Sequence, residues 1–154
     1  MKVHLNQIPN EGLHIEGEEP KDILELDADR IIRPVGGVRY ALDVNTSGNS
    51  FFATGSLDVD LDCECVRCAE KFRYPLSVPN FAMQEDLNGA QTVDLTPAMR
   101  EDILLALPSY PHCDWSGEKV CEGPRLQPAE QSATPDHDKP SAWDELTKLK
   151  IKSR

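Results

Sequence analysis

A chain of 154 residues is long enough for one domain with some tail to spare. Its hydrophobic fraction of 39%, below the roughly 45–50% usual for compact domains, and its twelve prolines imply a core smaller than the length suggests. A formal net charge of −11 disfavours a direct grip on nucleic-acid phosphates unless the cations gather on one face, and no apolar run approaches the roughly 18 residues of a membrane-spanning helix.

Polar residues follow Met1 almost at once, so no secretory leader is expected. An odd total of five cysteines suits a reducing, cytoplasmic setting better than a disulfide framework. Residues 1–30 carry eight acidic side chains against Lys2, Lys21 and Arg30. Val3-His4-Leu5 and Leu13-His14-Ile15 read as short strands separated by a turn at Pro9-Asn10-Glu11-Gly12. Ile23-Leu24-Glu25-Leu26 fits a strand or a helical turn equally well.

From Ile31 the pattern sharpens. Val38, Tyr40, Leu42 and Val44 alternate with polar or small neighbours, the period of a half-buried strand, and residues 45–49 supply the Gly and Asn chemistry of a hairpin loop. On the return strand Leu57, Val59, Leu61, Cys63 and Cys65 point one way, while Asp58, Asp60, Asp62 and Glu64 point the other. A slip of one residue would bury four carboxylates, so the register is strongly fixed. After a turn over residues 66–70, Phe72, Tyr74, Leu76 and Val78 alternate in a third strand, which Pro75 and Pro79 assign to a sheet edge.

A helix follows, with Thr96 as the expected N-cap, Pro97 at the first helical position and Glu101-Asp102 suited to the positive helix end. Met99, Ile103 and Leu107 share its apolar face with Ala106 beside them, and Pro108 stops it. The expected class is α+β: mainly antiparallel β meander with one packed helix and a flexible tail ending in a short helix. The expected organisation is a mainly-β domain over residues 1–123, a flexible linker over 124–140 and a C-terminal docking helix with a basic end over 141–154.

Cys65-Val66-Arg67-Cys68 is the most chemically suggestive feature. Two thiolates two residues apart on a tight turn hold half of a tetrahedral zinc site, and Cys113 with Cys121 is the second pair available, with His112 and Cys63 in reserve. The alternatives are five reduced cysteines packed as small hydrophobes, or a thiol redox pair at Cys65 and Cys68. The redox motif ordinarily opens a helix in a βαβ setting, whereas this turn joins two strands. No phosphate loop, dinucleotide fingerprint, HExxH or GxSxG is present, and no catalytic constellation emerges.

Three blocks together resemble the YceD family, the bacterial large-subunit ribosomal RNA accumulation proteins. They are Asp62-Cys63-Glu64-Cys65-Val66-Arg67-Cys68-Ala69-Glu70-Lys71-Phe72, then Val93 to Pro97 with Ile103 to Pro108, then Lys139 to Lys150. The resemblance implies a non-enzymatic accessory factor in large ribosomal subunit assembly, its partner a ribosomal protein or an assembly intermediate. Acidic composition favours a basic protein held by Asp58, Asp60, Asp62 and Glu64, with Trp143, Leu146 and Leu149 as an apolar docking stripe. The alternative is direct contact with ribosomal RNA through Arg67, Lys71 and Arg73 at the cysteine turn and Lys148, Lys150 and Lys152 at the basic end.

Overall fold

The computed structural model describes residues 1–26, 28–115 and 119–124. Six strands are present among them: β1 (Lys2–His4), β2 (Leu13–Glu19), β3 (Ile32–Ser47), β4 (Ser50–Glu64), β5 (Lys71–Asp86) and β6 (Thr92–Asp94), followed by helix α1 (Thr96–Ala106). Strands β2 to β5 form one antiparallel sheet in chain order, and β1 pairs with β6 separately. The α+β class and the meander expected from the sequence are both found. Among the described residues no helix is long and apolar enough to cross a membrane.

Period-two patterning accounts for the sheet. Val38, Leu42 and Val44 of β3 and Phe51, Ala53, Leu57, Val59 and Leu61 of β4 are buried, while alternate residues such as Asp62 face outward. Leu24, Val93, Leu95, Met99 and Ile103 complete that core. Leu24 belongs to a 3-10 turn over Lys21–Leu24, which decides the ambiguity left at that segment.

Several details differ from the sequence reading. The β3–β4 loop is only Gly48-Asn49, because Ser47 already pairs with Ser50. Gly48 takes φ 61°, the left-handed value that a tight hairpin needs at its first central residue. Strand β5 continues past Pro79 to Asp86, yet it is an edge strand, as its prolines require. Its second half escaped notice because the register slips there: Gly55 faces Phe81 but Leu57 faces Val78, so an extra residue breaks the alternation.

The helix start also differs. Thr96 is itself helical and Leu95 holds the N-cap position, while Asp94, one residue earlier, accepts the Thr96 N–H at its Oδ1 at 3.0 Å. The Thr96 hydroxyl and N–H together hold the Asp94 carboxyl below its ordinary range. Glu101 and Asp102 lie beyond the first turn and so miss the positive helix end, and Ala106 is exposed. Apart from Pro124, the expected linker and docking helix fall outside the described residues.

Candidate metal centre

Between the end of β4 and the start of β5 the chain folds into a tight knuckle. The Cys65 N–H donates to the Glu70 carbonyl and the Ala69 N–H to the Cys65 carbonyl, each at 2.8 Å. Closing this turn places Ala69 at φ 59°, a left-handed conformation that costs a Cβ-bearing residue roughly 1–2 kcal/mol. The segment after α1 is laid against the knuckle by backbone bonding: Val66 N–H donates to the Pro111 carbonyl at 3.0 Å, and Trp115 N–H to His112 at 3.2 Å, turning the chain at Cys113. Side chains reinforce the contact. Trp115 meets Tyr74 edge-on with ring centres 5.6 Å apart, Arg67 lies 3.7 Å from Asp114, and Lys119 lies 2.8 Å from Glu70.

The result is a cluster of four sulfurs. Cys65 and Cys121 Sγ are 3.8 Å apart, Cys68 and Cys113 Sγ are 3.6 Å apart, and all four lie within 4.8 Å of one another. Tetrahedral ligands at about 2.3 Å from zinc are separated by about 3.8 Å, so the donor set and its spacing are compatible with zinc. A disulfide needs about 2.05 Å, and all five cysteines are free. Cys65 and Cys113 are buried and Cys68 and Cys121 half-buried, a closed setting that suits a structural ion.

The electrostatics fit thiolate ligation. Burial opposes ionisation of Cys65, but N–H groups from Cys113, Arg67 and Cys68 outweigh it and bring the thiol down to about 6. At Cys68 a Glu70 backbone bond favours the thiolate, yet desolvation and the Cys65 sulfur prevail and raise it. Burial, then the sulfurs of Cys68, Cys121 and Cys65, raise Cys113 strongly. Cys68 and Cys113 thus resist ionising beside the Cys65 thiolate, and a divalent cation would relieve that repulsion as it displaced their protons. The two residues held in reserve stand outside the cluster. Cys63 faces the core, where burial and then Asp62 and Asp29 push it up to about 11. His112 rests against Trp115.

The remaining expected sites look different in three dimensions. Asp58, Asp60, Asp62 and Glu64 do form a row on the outer face of β4, but it is not an open acidic surface. Arg39 of β3 reaches Asp60 at 3.0 Å, and Arg73 of β5 reaches Asp62 at 2.8 Å. Lys71 stands opposite Glu64 in register, and Arg39 opposite Asp58. Arg67 and Arg73, expected as RNA contacts, are therefore engaged with carboxylates. Trp143, Leu146, Leu149, Lys148, Lys150 and Lys152 lie outside the described residues.

Residues 53–150 match the family model described as large ribosomal RNA subunit accumulation protein YceD, a span that includes β4, β5, α1 and all four clustered cysteines. No curated protein and no solved structure matches the chain.

Proposed function

The chain belongs to the YceD family of large ribosomal RNA subunit accumulation proteins, and on that footing we propose that it is a non-enzymatic accessory factor whose zinc-stapled cysteine lobe docks on a large-subunit assembly intermediate. The observation that carries this reading is the convergence of Cys65, Cys68, Cys113 and Cys121 in a lobe that also exposes apolar side chains. Six large apolar residues are exposed among the described ones, and four of them, Val66, Tyr110, Trp115 and Val120, flank the cysteine pairs. Apolar exposure concentrated in this way marks an interaction surface, and aromatic anchors such as Trp115 dominate binding energy in such surfaces.

Zinc supplies cross-linking here: bound by four thiolates, it fixes the knuckle to the post-helix segment. Such a centre carries a net charge of about −2, which adds to an acidic chain and favours a basic ribosomal protein in the intermediate as the docking partner. Asp58 and Glu64, which no ion pair engages among the described residues, extend that acidic character along β4. The lowered Cys65 value also suits a redox thiolate, but two further sulfurs within reach make a metal ligand the better reading.

Zinc content and co-sedimentation with large-subunit precursors test this in the native protein and in Trp115→Ala and Cys68→Ser variants. Stoichiometric zinc is expected, lost in Cys68→Ser and kept in Trp115→Ala, with co-sedimentation reduced in both. A native protein without zinc, or undiminished co-sedimentation of Trp115→Ala, refutes the reading.

A further inference from the structure

Among the described residues, half of the ten lysines and arginines find a carboxylate. Arg39, Arg67, Arg73, Arg100 and Lys119 each lie within 3.7 Å of one. Lys2, Lys21, Arg30, Arg33 and Lys71 do not, among the described residues, and the last three line a single cavity of about 340 Å³. It sits on the outer side of the sheet end, where β3 begins, β4 finishes and β5 starts.

The local structure explains why these cations stay unpaired. Asp62, in the cavity wall, is bound to Arg73 Nε at 2.8 Å. Asp29 Oδ1 accepts the N–H groups of Ile31 at 2.7 Å and Ile32 at 3.0 Å, so it serves the turn into β3. Arg33 Nε donates to the Asp29 carbonyl at 3.2 Å, which steadies the guanidinium while leaving its two terminal nitrogens to a ligand. Glu64 is the other carboxylate in the wall, opposite Lys71 in register, and Ile31, 45% exposed, adds an apolar side.

We infer that this cavity is a phosphate-binding site and that the phosphate it takes belongs to single-stranded RNA. Two guanidinium forks and an ammonium match the several acceptor oxygens of a phosphodiester. The volume, at the small end of ligand pockets, admits one nucleotide rather than a duplex. Ile31 offers an apolar contact to the nucleoside, and Glu64 an acceptor for a ribose 2′-hydroxyl, the group that separates RNA from DNA. The phosphate chemistry stands on the cavity alone. The choice of RNA as its carrier rests on the proposed role in large-subunit RNA accumulation.

The test is fluorescence anisotropy of a labelled oligouridylate titrated with the full-length protein between about 50 and 200 mM salt. Neutralising the one phosphate that the cavity admits predicts a log–log salt slope of about −0.7 for a single strand. The Arg30→Ala/Arg33→Ala/Lys71→Ala variant is expected to bind at least tenfold more weakly with a nearly flat slope, while Arg67→Ala, whose guanidinium is engaged by Asp114, changes less than twofold. An Arg30→Lys/Arg33→Lys variant keeps the charges but loses the forks; it should bind more weakly than native yet more tightly than the triple alanine variant and keep the native salt slope, which separates lost charge from lost fold. The inference is overturned if the native protein fails to bind at the lowest salt, if the triple alanine variant binds as well as native, or if Arg67→Ala weakens binding equally. Uridine monophosphate competing as well as the oligonucleotide also overturns it, since the site would then serve free nucleotides. Zinc content and precursor co-sedimentation are separate readouts, so the docking reading and this one fail independently.

Discussion

Removing the metal probes the stapled lobe most directly. Cys68 and Cys113, whose sulfurs face each other at 3.6 Å, are 45 residues apart in the chain. A cross-link closing a loop of that length lowers unfolded-state entropy by about 4 kcal/mol at 25 °C. For a folded body of this size each kcal/mol moves the thermal midpoint by about 3–5 °C, so stoichiometric chelation should lower it by roughly 12–20 °C. Below that midpoint the sheet should survive, because the apolar core shared by β3, β4 and α1 includes neither Cys65 nor Cys113. The lobe should loosen instead. The amides of Val66 and Trp115, bonded to Pro111 and His112, are expected to lose hydrogen-exchange protection on chelation, while those of Leu57 and Val59 keep theirs. Thermal circular dichroism and hydrogen exchange with and without chelator measure both effects. An unchanged midpoint in protein that has lost its zinc, or sheet amides opening together with the lobe, would refute the reasoning.

Three further outcomes are expected. A Cβ at Gly55 would lie 2.1 Å from the Ala41 carbonyl oxygen and 2.9 Å from Leu42 Cα; both obstacles are backbone at the sheet centre, so Gly55→Ala should cost about 3 kcal/mol in urea unfolding. Ala69→Gly should keep zinc and gain up to about 1 kcal/mol, because relief of the left-handed strain exceeds the extra freedom that glycine brings to the unfolded chain; a less stable variant would contradict this. The protonated His14 ring donates to Glu16 Oε1 at 3.0 Å and to Asp43 Oδ1 at 2.7 Å, and these bonds, Glu16 first, raise its pKa above 6.5. Its stabilising effect is therefore complete below pH 6.5 and lost as pH rises through the raised folded value; an NMR titration in which Glu16→Gln leaves the His14 midpoint unmoved would disprove the assignment.

What could be read in the chain follows the range of each signal. The alternation from Leu57 to Cys65 is local, and it correctly separated the core face of β4 from its outer face. The prolines at 75 and 79 named an edge strand from chemistry alone. Strand β1 was legible at Val3-His4, whereas β6 is three residues that owe their place to pairing across 90 residues of chain, as between Val93 and Val3, which leaves no local pattern. The cap was placed one residue late, because Leu95 carries no capping chemistry of its own and the carboxylate that accepts the Thr96 N–H belongs to Asp94 before it. The cysteine pairs were identifiable by residue type, but the seven residues between Cys113 and Cys121 gave no metric for their approach to Cys65 and Cys68. That approach depends on Val66 bonding to Pro111, a contact between segments 45 residues apart.

Charge shows the same limit with larger consequences for function. Read along the chain, the carboxylates at 58, 60 and 62 form an acidic stripe, and Arg67 with Arg73 forms a basic one. The sheet reverses that picture, because its register sets Arg39, 21 residues away from Asp60, and Arg73, 11 residues away from Asp62, against the stripe. Arg73 is engaged by that pairing and Arg67 by Asp114, whereas Lys71, the third cation expected at the turn, stays unpaired among the described residues beside Arg30 and Arg33 in one cavity. Lys71 is also the first residue of β5, directly after the knuckle, just as Glu64 is the last of β4 directly before it. The cysteine cluster and the cation-lined cavity are thus two sides of one strand end. A staple that fixes the knuckle also fixes where Lys71 stands, so the contact proposed for protein and the contact inferred for RNA share a single rigid support. For a factor that meets an assembly intermediate containing both, that shared support sets the distance and angle between the two contacts, which a net charge of −11 could never specify.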